Sequence, residues 1–67
     1  MLLHTKYLSI IAFYPFERFE KAVGIPHKSQ VFHWYMEFLK YAYKNLKHGQ
    51  PLSEQFESWT RNQQHFS

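Results

Sequence analysis

The run from Ser29 to His48 constrains the fold most, because it is the longest stretch without glycine or proline and is rich in apolar residues. At about 100° of rotation per residue, a helix here gathers its apolar side from seven residues: Val31, Phe32, Tyr35, Phe38, Leu39, Ala42 and Leu46. The opposite strip is narrow and polar: His33, Glu37, Lys40, Lys44 and Lys47. A helix this apolar needs neighbours on more than one face. We therefore predict a central helix over residues 29–48, surrounded by other elements.

Residues 1–14 carry apolar side chains at helical spacing, which predicts a first helix packed on the central one. The residues with this spacing are Leu3, Tyr7, Ile10, Ile11 and Tyr14. A strand is the alternative, because several residues here favour β structure, although no second strand pattern is present to pair with it. The segment is too short to span a bilayer and lacks the features of a signal peptide. A helix lying on a membrane surface is disfavoured, because the segment has few cations.

A short second helix is predicted after Pro15, with its apolar stripe formed by Phe16, Phe19 and Val23. Gly24 suits the position just past the end of this helix. The following Ile-Pro pair then carries the chain into a turn before the central helix.

The run Gly49-Gln50-Pro51 predicts a break before a last helix. The apolar stripe of that helix is Leu52, Phe56, Trp59 and Phe66. Ser29 and Ser53 lie near two helix starts and are predicted to cap them. Taken together, residues 1–67 are predicted to form a single all-α domain, a small bundle of three to four short helices around a long central helix.

The chain has fourteen aromatic residues, namely seven Phe, five Tyr and two Trp, in only 67 positions. A domain of this size buries only about 60% of the surface that its unfolded chain exposes, so some rings are expected outside. Clustered exposed rings are typical of interfaces. We predict a partner-binding face with apolar anchors Trp34, Met36, Tyr41 and Tyr43, and with a charged rim of Lys40, Lys44 and Lys47. The predicted partner is another protein or a second copy, as for small regulators, inhibitors encoded by phages or mobile elements, and accessory subunits.

A DNA-binding function is the alternative, because residues 16–48 resemble a helix-turn-helix unit, with two helices joined by a turn that contains Gly24. In that interpretation the major groove would be contacted by residues near the start of the second helix: His27, Lys28, Ser29, Gln30 and His33. Arg18, Lys40 and Lys44 would contact phosphates, in keeping with a net charge of +3. The unit departs from the usual pattern at Glu20, where a small residue is preferred for close helix packing.

Residue patterns that carry catalysis or metal binding are not found in this sequence. Cysteine is absent, and no two of the five histidines are three or four residues apart, as helix-borne metal ligands usually are. His33 and Glu37 have that spacing, but such a pair on a polar helix face is usually solvated. With two glycines there is no phosphate-binding loop, and no serine stands in a nucleophile elbow. We predict a non-enzymatic protein without cofactor or metal, and the lack of cysteine agrees with a reducing, cytoplasmic location.

Overall fold

The described part of the chain folds into four helices that pack into one small bundle. The computed structural model describes residues 2–46 and 49–63, with side chains from residue 7 onwards. Helix α1 spans Leu2–Phe13, α2 spans Phe16–Val23, α3 spans Lys28–Lys44 and α4 spans Leu52–Arg61. The predicted all-α bundle with a long central helix is confirmed, and residues 2–13 form a helix rather than the alternative strand. Within the described ranges, none of these helices is both long and apolar enough to cross a membrane.

Helix α3 is the centre of the bundle, because α1, α2 and α4 each pack against it. It ends at Lys44, four residues before the predicted end at His48, which lies outside the described residues. The physical reason lies in Asn45, whose side-chain amide donates a hydrogen bond to the Tyr41 carbonyl at 2.7 Å. The same carbonyl also accepts the Asn45 N–H at 3.2 Å, and this N–H is shared with the Ala42 carbonyl at 3.1 Å, so the last turn tightens where the helix ends.

The two serines predicted as caps lie inside their helices instead. Helix α3 has His27 at its N-cap, and its first helical bond runs from the Val31 N–H to the His27 carbonyl at 2.9 Å. Ser29 is therefore already in the first turn. Helix α4 has Pro51 at its N-cap, with φ fixed near the helical value at −59°, so Ser53 also lies within the first turn. Neither helix has a side-chain cap hydrogen bond.

Gly24 ends α2 as the sequence predicted. Its φ of +72° lies in the left-handed region, and its N–H donates to the Glu20 carbonyl at 3.0 Å. Glycine adopts this conformation without the steric cost that a Cβ atom brings. The chain can therefore leave α2 abruptly and turn back into α3.

Among the residues with described side chains, seven aromatic residues are buried in the core, and the ring of Phe19 lies at its centre. The buried rings are Tyr7, Tyr14, Phe19, Trp34, Tyr35, Phe38 and Trp59. Phe19 on α2 contacts rings of α3 and α4, with centroids 5.2 Å from Tyr35, 5.6 Å from Phe38 and 5.7 Å from Trp59. Phe56 is a half-buried ring that makes edge-to-face contacts with Phe19 and Phe38, whereas Phe66 of the predicted α4 stripe lies outside the described residues.

Two residues from the predicted apolar side of α3, Phe32 and Leu46, are exposed. Phe32 lies at the edge of the face that α2 covers, with its ring 5.9 Å from that of Phe16. Leu46 lies beyond the end of α3, in the turn that follows it. A helical wheel shows which residues share a side, and it does not show how much of the helix the neighbouring elements cover.

Candidate functional site

The four predicted apolar anchors occupy different environments. Trp34 is only 5% exposed and belongs to the core, so its predicted surface position is wrong. Three helices surround α3, and its buried face is therefore wider than the apolar side that the wheel indicates. Met36 and Tyr41 are half-buried and pack against the core. Tyr43 is exposed to 42%, and its ring makes an edge-to-face contact with Tyr7 of α1 at 5.5 Å.

The predicted basic rim is partly described by the structure. Lys40 and Lys44 are exposed on α3, and Lys40 forms an ion pair with Glu37 at 3.7 Å. Lys47 lies outside the described residues. An exposed pair of this kind is worth at most about 1 kcal/mol, so Lys40 remains available to another anion. The predicted anchors and lysines therefore do not form one continuous aromatic face.

A cleft of about 480 Å³ lies where the end of α1 meets the connection between α3 and α4. Its volume is in the range of pockets that accept a small ligand or a large side chain. The lining residues in the described part of the chain are Ser9, Ile10, Phe13, Arg18, Leu46, Gln50, Pro51, Leu52 and Ser53. The apolar part of the wall comes from Ile10, Phe13, Leu46, Pro51 and Leu52, and the polar side chains are Ser9, Arg18, Gln50 and Ser53.

Two large apolar side chains line this cleft yet remain in contact with water. Phe13 is exposed to 73% and Leu46 to 44%. The sequence interpretation did not include Phe13 among the site residues. The signal that could have found it is that α1 is apolar on both sides, with Ile10 and Tyr14 buried while Leu8 and Phe13 face outward. A helix that is apolar all round usually has a partner on each face.

Arg18 supplies the charge beside these apolar groups. Its guanidinium carbon lies 4.5 Å from the centroid of the Tyr14 ring, and its Nη1 donates to the Phe13 carbonyl at 3.3 Å. The two contacts hold the end of α1 against the start of α2 and keep the guanidinium at the cleft wall. Burial raises the pKa of Tyr14, and the nearby Arg18 charge partly offsets that rise. The residue proposed for phosphate contact is thus part of the cleft.

A hydrogen bond from α3 stabilises the same corner. The Tyr35 hydroxyl donates to the Tyr14 carbonyl at 2.8 Å, in a buried position. This carbonyl lies at the break between α1 and α2, where no further helical N–H is available to it. Burial of the hydroxyl raises the pKa of Tyr35 to about 12. The cleft wall formed by Phe13 and Arg18 is therefore built on a fixed corner of the core.

The residues of the DNA-binding alternative form a separate exposed group at the start of α3. All five predicted base-contacting side chains are exposed: His27, Lys28, Ser29, Gln30 and His33. The Lys28 ammonium lies 3.9 Å from a Glu20 carboxylate oxygen, so a negative charge stands beside the group. This carboxylate would repel a phosphate that approached Lys28.

No group of three or more histidine or carboxylate side chains that could hold a metal ion occurs in the part of the chain that the structure describes. Comparisons of the chain with protein-family models, with curated proteins and with solved structures found no match.

Proposed function

We propose that this chain is a small non-enzymatic interaction protein that binds another protein through the cleft between α1 and the α3–α4 connection. The observation that carries the proposal is the exposure of Phe13 and Leu46 at the wall of a preformed apolar cleft. Each would gain from losing contact with water, at about 25 cal/mol per Å² of apolar area buried. Regulators, inhibitors and accessory subunits act by occupying a surface in this way.

The form of the cleft fits the anchor-and-pocket arrangement of protein interfaces. Binding energy at such interfaces is concentrated in a few apolar side chains that enter preformed pockets, surrounded by a polar rim. Here the pocket is bounded by Ile10 and Leu52, and Arg18 provides the polar edge. Tyr43 precedes Leu46 by less than one helical turn and contacts α1, so it extends the apolar surface along the seam between α1 and α3.

The lining residues also support a binding role rather than a catalytic one. Their hydroxyl groups belong to Ser9 and Ser53, and among the described lining residues no histidine or carboxylate is present to act as a base. A cleft of this composition can bind an apolar group and orient an anion.

Selection from a random peptide display library on the immobilised protein tests the proposal. We expect recovered peptides to bind the wild type and to lose binding to the Phe13→Ser/Leu46→Ser variant. Leu8→Ser is the matched control, because Leu8 is 62% exposed on α1 but does not line the cleft. All three replaced residues are exposed, so circular dichroism should show unchanged helicity. Recovery of peptides that bind both variants equally well would contradict the proposal.

A second candidate function is DNA binding by the start of α3, favoured by the exposure of its five predicted base-contacting residues. It predicts a complex with a random duplex whose affinity falls steeply with salt, because phosphate contacts release counterions. Replacing Lys28 and Gln30 with Ala should weaken such a complex. Absence of any duplex shift at low salt would refute this function and leave the cleft proposal intact.

A further inference from the structure

We infer that the occupant of the cleft is an acidic peptide segment of the partner protein, with an apolar side chain inserted between Phe13 and Leu46 and a carboxylate bound by Arg18. The inference rests on the proposed function and adds the chemistry of the partner. It follows from the charge of the residues that line the cleft, from the contacts of the Arg18 guanidinium, and from the repulsion that a second copy of the chain would meet at the same site.

None of the described residues that line the cleft carries a carboxylate side chain. The five acidic residues are Glu17, Glu20, Glu37, Glu54 and Glu57. Glu17 and Glu54 adjoin lining residues in the sequence, but neither belongs to the described lining. Arg18 is therefore the charged side chain among the described lining residues, and the charge of the lining itself is positive.

The Arg18 guanidinium is held in place but its charge is not neutralised. It donates one hydrogen bond to a backbone carbonyl and lies over a neutral tyrosine ring. Within residues 2–46 and 49–63, the ion pairs of the structure are Lys28–Glu20 and Lys40–Glu37, and neither includes Arg18. A guanidinium has five N–H donors in a planar fork that matches a carboxylate. Because these two contacts already restrain the side chain, part of its entropy is lost before a carboxylate binds.

A different protein fits this site better than a second copy of the chain. Two copies that met cleft to cleft on a two-fold axis would bring two Arg18 side chains together, and each copy carries a net charge of +3. Like charges that meet at an interface oppose association. A partner that brings both the apolar group and the negative charge satisfies the two halves of the site together.

Two peptide libraries that differ in charge provide the test. Both carry the same random apolar positions, and their polar positions are Asp or Glu in one library and Lys or Arg in the other. The wild-type protein is expected to recover clones mainly from the acidic library, and these clones should lose binding to Phe13→Ser/Leu46→Ser. Recovery mainly from the basic library would overturn the inference while leaving the proposed function standing. Recovery of no cleft-dependent clone from either library would overturn both.

Variants of Arg18 separate a specific carboxylate contact from general attraction to a basic protein. Arg18→Gln should weaken an acidic clone by roughly threefold to tenfold, the range of a partly exposed charge-assisted contact. Arg18→Lys, which keeps the charge, should recover part of the loss. Lys21→Gln is the matched control, because it removes one charge from an exposed position of the same helix outside the cleft. Equal weakening by Arg18→Gln and Lys21→Gln would refute the Arg18 contact.

Discussion

Gln55 on α4 is a buried polar residue whose replacement should not destabilise the fold. Its side chain is fully buried, and its Nε2 donates to the Gln50 carbonyl at 3.1 Å. Its Oε1 is buried as well, and no hydrogen-bond partner for it occurs in the described parts of the chain. Gln55→Met keeps a similar unbranched shape while removing both polar groups. We expect this variant to be at least as stable as the wild type.

The expected size of the effect follows from the two hydrogen-bonding states of Gln55. An unsatisfied buried acceptor costs about 1–3 kcal/mol, and a typical neutral hydrogen bond contributes about 0.5–1.5 kcal/mol net. Removing both should therefore change the free energy of unfolding by between about −0.5 and +2.5 kcal/mol, with a central value near +1 kcal/mol. Because Gln50 is an exposed residue, water can replace Nε2 at its carbonyl. Gln55→Glu should instead lower stability, because a carboxylate here would have to be buried or protonated.

Urea denaturation followed by circular dichroism measures both variants. The urea concentration at the midpoint of unfolding should stay the same or rise for Gln55→Met and fall for Gln55→Glu. The slope of the free energy of unfolding against urea concentration should not change. A loss of more than about 1 kcal/mol in Gln55→Met would refute the reasoning, since it would mean that the amide contributes more than its unsatisfied oxygen costs.

Three further perturbations test the core and its connections. Above the unfolded tyrosine pKa of 10, folded Tyr35 keeps its proton up to about pH 12. The free energy of unfolding should therefore fall between pH 10 and pH 12, by at most about 1.4 kcal/mol per pH unit. The fall should be smaller in Tyr35→Phe, and identical pH dependence of the two proteins in urea denaturation would contradict this prediction. Gly24→Ala should lower the free energy of unfolding, measured by urea denaturation, by about 1–2 kcal/mol. The added Cβ would meet no atom within 4 Å, so the loss comes from the backbone strain at a φ of +72°. Phe19→Ala should lower the free energy of unfolding by about 3–5 kcal/mol, which is comparable with the whole stability of such a small domain. A cooperative thermal unfolding transition in this variant would argue against a single core built around Phe19.

The sequence predicted the fold well because local signals and the buried pattern agree over most of the chain. Gly24 ends α2 where its left-handed conformation is needed, and Phe19 and Phe38 are buried at the positions that helical spacing indicates. The end of α3 was harder to predict, since it depends on the side chain of Asn45 rather than on glycine or proline. The caps were misassigned because His27 and Pro51 begin their helices without a side-chain hydrogen bond.

The candidate site was less predictable, because a cleft depends on how separate helices meet. Trp34 was assigned to the surface from its position on the wheel, yet it belongs to the core around a helix with three neighbours. Phe13 and Leu46 are far apart in sequence, and only packing brings them to the same cleft. The burial of Gln55 also could not be read from its polar side chain. A pattern along one helix reports which residues share a face and leaves open what covers that face.

The arrangement of three helices around α3 has a consequence for folding during synthesis. α1 and α2 are made before α3, and their main packing surface is on α3. Until Lys44 has been made, the nascent chain therefore exposes the apolar sides of two short helices that have not found their core. Such surfaces are prone to aggregation and are substrates for chaperones. We expect that a ribosome stalled before the end of α3 would hold a largely uncollapsed chain, and that compaction would follow as α3 emerges.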